Sequence, residues 1–170
     1  MYALVTQNNE ITQIGELQTL FPHESQPTAL YAQQHGAKEI IDGTREDERF
    51  YWVTFGSYSV GETYVTRNYV NTPKALEDVT ETPEGEPITT KGLKSQYITQ
   101  FKQTANSMLA TTDWYVWRKF ERMVDIPADV AAKRAAILAE CDRLTAAIVA
   151  AQDLSAFIQA VQSANWGVDE

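Results

Sequence analysis

The sequence predicts an α+β chain: a small N-terminal antiparallel β-sheet domain followed by a C-terminal helical hairpin or small helical bundle. Three observations lead there. Residues 50–70 are rich in aromatic and β-branched side chains, which suit a pleated, half-buried surface. From Leu93 onward the apolar residues recur at intervals of three and four, the spacing of one helix face. Between these parts, residues 73–91 hold three prolines and five acidic side chains with little periodic hydrophobicity. Such a stretch buries too little apolar area to offset chain entropy. The expected organisation is a β-rich domain at 1–72, an acidic proline-containing linker at 73–91 and a helical domain at 92–170.

The chain opens with two β-prone runs, residues 2–6 and 11–16, separated by Gln7-Asn-Asn-Glu. Asparagine tolerates the positive φ of a tight turn, so these runs read as a hairpin. Two prolines make residues 17–27 an irregular connection. Thr28 to His35 reads as a short helix closed by Gly36 and followed by a strand at 37–42. The strongest β signal is Phe50 to Phe55 and then Val60 to Val70, with a turn expected at Gly56-Ser57. Alternation leaves aromatics on both faces of the first of these strands, so either the chain itself covers both sheet faces or one packs on a helix and the other on a partner. Tyr51 and Tyr58 are the candidate contact residues there.

In the second half, Leu93, Tyr97, Phe101, Met108 and Leu109 mark one helix. A short aromatic helix follows, announced by Thr112 or Asp113 as a side-chain cap, and Asp125 ahead of Pro127 signals the start of another. That third helix carries Val130, Arg134, Ile137, Cys141, Leu144 and Ile148 in a row and is rich in alanine. Asp153 is expected to cap a last helix bearing Leu154, Phe157, Ile158 and Val161, ending at Gly167.

Composition restricts the function classes. A hydrophobic fraction of 44% with 11% aromatics supports a real core, while a net charge of −9 opposes binding to nucleic-acid phosphates and to anionic membranes. No apolar run approaches the roughly 20 residues of a bilayer span, and the first residues lack a basic and then apolar leader pattern. One cysteine, Cys141, permits no intrachain disulfide and is expected as a small buried hydrophobe. The serines of Gly56-Ser-Tyr-Ser-Val-Gly61 lack the glycine spacing of a nucleophile elbow. His23, His35 and Cys141 have no metal-ligand spacing, and no phosphate-binding glycine motif occurs. No catalytic, metal or cofactor site is assigned, and the chain is not expected to be an enzyme.

Attention falls on residues 106–127, which hold two of the four tryptophans. Helical spacing places Trp114, Trp117, Phe120 and Val124 on one stripe, expected to turn into the core. Trp114→Ala should then be strongly destabilising. Tyr115 and Arg118 fall at its margin, and Trp, Tyr and Arg are the types enriched at binding hot spots. A buried centre and a binding rim are expected to coexist, with Trp114, Tyr115, Trp117, Arg118 and Phe120 as the candidate partner residues.

The run Met108-Leu-Ala-Thr-Thr-Asp-Trp-Tyr-Val-Trp-Arg-Lys-Phe-Glu-Arg, with Asp125-Ile-Pro and an alanine-rich helix containing Arg134, resembles a segment of tailed-phage tail-fibre assembly chaperones and other tail-fibre-associated proteins. The matching residues are Thr112, Asp113, Trp114, Arg118, Glu121, Ile126, Pro127 and Arg134, within a likeness covering about residues 93–150. Trp117 and Phe120 are larger than the residues of that pattern. The resemblance implies a non-enzymatic protein that binds a trimeric tail-fibre protein and helps it fold or assemble in the host cytoplasm. Attachment to the fibre in the virion tail and an oligomeric arrangement on the fibre stay open. The alternative it implies is a permanent structural subunit of the tail or baseplate that connects a fibre.

Overall fold

The computed structural model describes residues 1–167, apart from the Glu84 side chain. It is α+β, with a five-stranded sheet first and helices after it, and it divides into two compact units, residues 1–72 and residues 73 onward.

The first unit is built on β1 (Tyr2–Val5), β2 (Ile11–Gly15), β3 (Ala37–Asp42), β4 (Tyr51–Val60) and β5 (Tyr64–Pro73), in the spatial order β2-β1-β3-β5-β4. The expected opening hairpin is β1 with β2, antiparallel, and Asn9 supplies the positive φ of its turn. Two short helices, α1 (Leu17–Leu20) and α2 (Ala29–Gln34), fill the connection to β3. Thr28 caps α2 by accepting from the Tyr31 N–H at 3.2 Å, and Gly36 leaves it at φ +80. Ala3, Leu20, Ala32, Ala37, Phe50 and Val65 are the buried core of this unit.

Two expectations are corrected here. The sheet is mixed, because β3 pairs antiparallel with β1 and parallel with β5, with Ile40 opposite Val65. The chain goes from β3 out to the edge as β4 and returns as β5 between them, so β5 runs with β3. The turn is also displaced: β4 continues through Gly56 and Ser57, and the reversal falls at residues 61–63, where the Gly61 N–H donates to Tyr64 O. Glycine at 56 is a close-approach position, since a Cβ there would lie 3.1 Å from Val70 Cγ2.

The second unit opens with residues expected to be a linker. They instead form a small antiparallel hairpin, β6 (Val79–Glu81) with β7 (Ile88–Thr90), joined through one 3₁₀ turn at Pro83–Gly85. Polar staples compensate for the poor apolar content. The N–H groups of Leu93 and Lys94 donate to Ala75 O and Leu76 O, and Lys94 Nζ reaches Glu77 Oε1 at 2.6 Å. Asp78 accepts from the Gly92 N–H at 2.8 Å, and that bond, with one from Ser95, holds its carboxyl below the usual carboxylate range. Only glycine fits at 92, because a Cβ there would lie 2.3 Å from Glu77 O.

The helices are α3 (Leu93–Ala110), α4 (Asp113–Arg122), α5 (Ala128–Ala150) and α6 (Leu154–Gln162). The start of α3 meets the end of α5 through Lys94 Nζ and Val149 O, and the end of α3 meets the start of α5 through Arg134 and Leu109 O. The two therefore form an antiparallel hairpin, onto which α6 folds back. Leu93, Phe101 and Ala105 of α3, Cys141, Leu144 and Ile148 of α5, and Phe157 and Ala160 of α6 close the core. Tyr97 meets Phe157 edge-on at 5.4 Å, and Phe101 meets Trp166 at 6.0 Å. Asp153 caps α6 as the sequence predicts, accepting from the Ala156 N–H at 2.8 Å, but the helix stops at Gln162 rather than Gly167. No helix among the described residues is long and apolar enough to cross a membrane.

Candidate functional site

Helix α4 sits in the connection between α3 and α5. The hydroxyls of Thr111 and Thr112 turn back onto Met108 O and Leu109 O, which ends α3 and starts a new helix at Asp113. Neither Thr112 nor Asp125 caps a helix with its side chain, contrary to the sequence reading. The Thr112 hydroxyl is used on α3, and Asp125 pairs with Lys119 Nζ at 3.2 Å. Asp113 in the first turn and Lys119 and Arg122 in the last suit the helix dipole, and Met123 closes the helix in the left-handed region at φ 55.

One guanidinium fixes this joint. Arg134 of α5 donates from Nη1 to Leu109 O at 2.8 Å and to Thr112 Oγ1 at 2.7 Å, and from Nη2 to Asp113 Oδ1 at 3.0 Å. It adds a charged donor to the Leu109 carbonyl, which also accepts from the Thr112 N–H at 3.0 Å, and clamps the first acid of α4 in the same fork. A second arginine, Arg118, lies 4.9 Å from the Trp114 ring and 5.1 Å from the Tyr115 ring, and donates to Asp125 O at 3.4 Å. The two rings are 3.7 Å apart. Cation–π attraction of this kind holds the guanidinium in place against the rings.

The orientation of α4 overturns the expected buried stripe. Trp114 is 52% exposed, Trp117 64% and Phe120 76%, with Val116, Met123 and Val124 exposed beside them. At about 100° per residue, Trp114, Val116, Trp117 and Phe120 occupy less than half the helix circumference, and Tyr115 and Arg118 lie on the other side. Tyr115 and Arg118 are the half-buried residues, so the helix turns its margin inward and its aromatic face outward. These residues share one stripe, as their spacing predicts, but the stripe faces away from the core. The short connections at 111–112 and 123–127 keep α4 at the hairpin tip.

The sheet candidates belong to the other unit. Tyr51 and Tyr58 are half-buried, whereas Trp52 and Phe55 of the same strand are exposed. Along β4 the inward positions switch from odd to even numbers across residues 54–57, so strict alternation misassigns the faces. Phe55 and Tyr58 consequently meet at 5.0 Å instead of pointing to opposite sides.

The remaining reactive side chains are held structurally. Cys141 is buried, and the His35 ring stacks on Tyr31 at 4.0 Å with Nδ1 2.7 Å from Tyr31 O. Among the described residues no group of three or more His, Cys, Asp or Glu side chains gathers to hold a metal ion. A pocket of about 380 Å³ beside Met108, Thr111, Lys133, Ile137 and Trp166 offers apolar surface and one ammonium group. Comparison with protein-family models, curated proteins and solved structures gives no match.

Proposed function

We propose that the chain is a non-enzymatic binding protein that assists the assembly of a trimeric phage tail-fibre protein, with α4 as its docking element. The observation that carries this reading is the outward aromatic face of Trp114, Trp117 and Phe120 on a helix held rigid by Arg134. Large aromatics presented on a pinned helix bind at low entropic cost, because little is left to immobilise on contact. A slowly assembling β-rich fibre exposes apolar surface and strand edges that such a face can cover. The resemblance of residues 93–150 to tail-fibre-associated proteins is centred on this helix, and the chain's net charge of −9 keeps it dispersed while it waits for its partner.

The reading is tested by co-expression with a trimeric tail-fibre protein. A stable complex, or a clear gain of soluble fibre trimer, is expected. No association together with no gain overturns the reading. Mass spectrometry of purified virions separates its two forms: a chaperone that departs is absent, and a subunit that stays is present in stoichiometric amount.

A further inference from the structure

Within the second unit, three parts of the chain enclose a hollow of about 380 Å³. The end of α3 contributes Met108 and the Thr111 that follows the helix. The start of α5 contributes Lys133, Ala136 and Ile137, which a spacing of three and four places on one face. The third wall is Trp166 with Gly167, carried across by the chain after α6. Specific contacts hold that wall: Arg143 donates to Ser163 O at 2.9 Å, the Asn165 N–H donates to Glu140 Oε1 at 2.7 Å, and the Trp166 ring lies 6.0 Å from that of Phe101. A hollow whose walls are already in place costs little ordering entropy to fill.

Size and lining select a class of ligand. Small-molecule pockets run from about 300 to 1,000 Å³ and are mostly apolar, with a few fixed polar groups. This one is at the lower end, with room for about a dozen non-hydrogen atoms at the roughly 30 Å³ that one water takes in the liquid. Met108, Ala136, Ile137 and Trp166 supply apolar surface, and the charged group is the Lys133 ammonium. Nearby cations are taken up by the chain's own carboxylates: Arg134 by Asp113, Lys119 by Asp125 and Arg143 by Glu140. Lys133 makes no ion pair or hydrogen bond among the described residues, so its charge is unspent in a chain of net charge −9. The Thr111 hydroxyl donates to Met108 O at 2.9 Å, which leaves it only an acceptor toward a ligand and makes Lys133 the anchor for an anion.

We infer that this hollow binds a small amphipathic carboxylate, an aryl or alkyl group of about ten carbons whose carboxylate pairs with Lys133 and whose apolar part lies against Trp166, Ile137 and Met108. A cation of the same shape meets the ammonium with like charge. A neutral analogue fills the hollow but leaves the ammonium without a counter-charge, so the carboxylate is preferred over both. The site shares no residue with the outward face of α4, and the inference stands without the fibre reading.

Titration calorimetry of the full chain with phenylbutyrate, phenylbutanol and phenylbutylamine tests this. The carboxylate is expected to bind once per chain with a dissociation constant below about 1 mM, about tenfold tighter than the alcohol, and the amine is expected not to bind. In NMR spectra it should move the Trp166 indole resonance and leave those of Trp114 and Trp117 in place. Lys133→Gln, an exposed helical position, should weaken the carboxylate about tenfold and leave the alcohol unchanged. Ala136→Phe, which puts a ring into the hollow, should abolish binding of both. No binding of the carboxylate, equal affinity for the three compounds, a carboxylate affinity that Lys133→Gln leaves untouched, or shifts confined to Trp114 and Trp117 would overturn the inference. Binding that appears only after residues 168–170 are deleted would also overturn it and assign the hollow to the chain's own tail.

Discussion

Helices α4 and α6 belong to the same unit, have ten and nine residues, and both carry apolar residues at intervals of three and four. Their fates are opposite. Helix α6 buries Phe157 completely in the α3–α5 hairpin, and α4 leaves Phe120 76% exposed. The difference lies in what each helix is tied to. After α5 a three-residue connection returns α6 along the hairpin, and the chain behind it is locked down: Arg143 grips Glu140 bidentately and donates to Ser163 O at 2.9 Å, while Glu140 accepts from the Asn165 N–H at 2.7 Å. Helix α4 is held at its ends and margin, by Arg134 and Arg118, and its short connections keep it at the hairpin tip. An amphipathic pattern states that a face will be covered; the connections decide whether the chain itself can do it.

The largest expected effect that would break this comparison is at the two phenylalanines. Phe157→Ala should cost about 3–5 kcal/mol in urea unfolding of the chain, as for a fully buried aromatic, whereas Phe120→Ala should stay within about 0.5 kcal/mol of wild type. Equal losses at both sites would mean that α4 packs as α6 does. Trp114→Ala, read from the sequence as strongly destabilising, should likewise cost little beyond its contact with Tyr115 and Arg118.

A smaller effect is expected at the clamp. Arg134→Ala removes three hydrogen bonds from a side chain that is only 18% exposed, and should cost about 2 kcal/mol, with amide hydrogen exchange at residues 112–116 accelerated before the rest of the helices. Arg134→Lys should recover little of this, because an ammonium cannot reach Leu109 O, Thr112 and Asp113 in one fork. Full rescue by lysine would assign the joint to charge alone.

The smallest concerns the lock behind α6. The Arg143 guanidinium, helped by the Asn165 N–H, holds the Glu140 carboxyl below its ordinary range. A folded pKa below the unfolded value of about 4.3 means that this contribution is complete above the unfolded pKa and is lost as pH falls through the folded one. Glu140→Gln should therefore lower stability by about 1 kcal/mol at neutral pH, and the gap to wild type should close in acid below about pH 4. A gap that persists unchanged in acid would show that packing and not charge holds the lock.

Much of the scaffold was readable from local chemistry. Asp153 caps the helix it announces, Asn9 and Gly36 take the positive φ their positions suggest, and the stripe through Cys141, Leu144 and Ile148 is buried. What escaped the sequence depends on distant partners. The parallel pairing of β3 with β5 follows from the return path of β4, which no local pattern encodes. Residues 73–91 look unable to fold because their stability comes from polar staples to Gly92, Leu93 and Lys94 and not from apolar area. The stripe of Trp114, Trp117 and Phe120 is grouped by its spacing but faces outward, since a periodicity fixes which residues share a stripe and is silent on where the stripe points. The outward position of Trp117 and Phe120 has one signal in retrospect: the short joints at either end of α4 leave it no reach along the hairpin.

The central claim is that the outward aromatic face of α4 is a docking surface for a fibre subunit. It is tested most directly by co-purifying a tagged fibre subunit with the Trp117→Asp/Phe120→Asp variant, using protein whose urea midpoint equals that of wild type. The account predicts that the fibre subunit is no longer retained. Retention at the wild-type level would contradict it and move the contact away from α4.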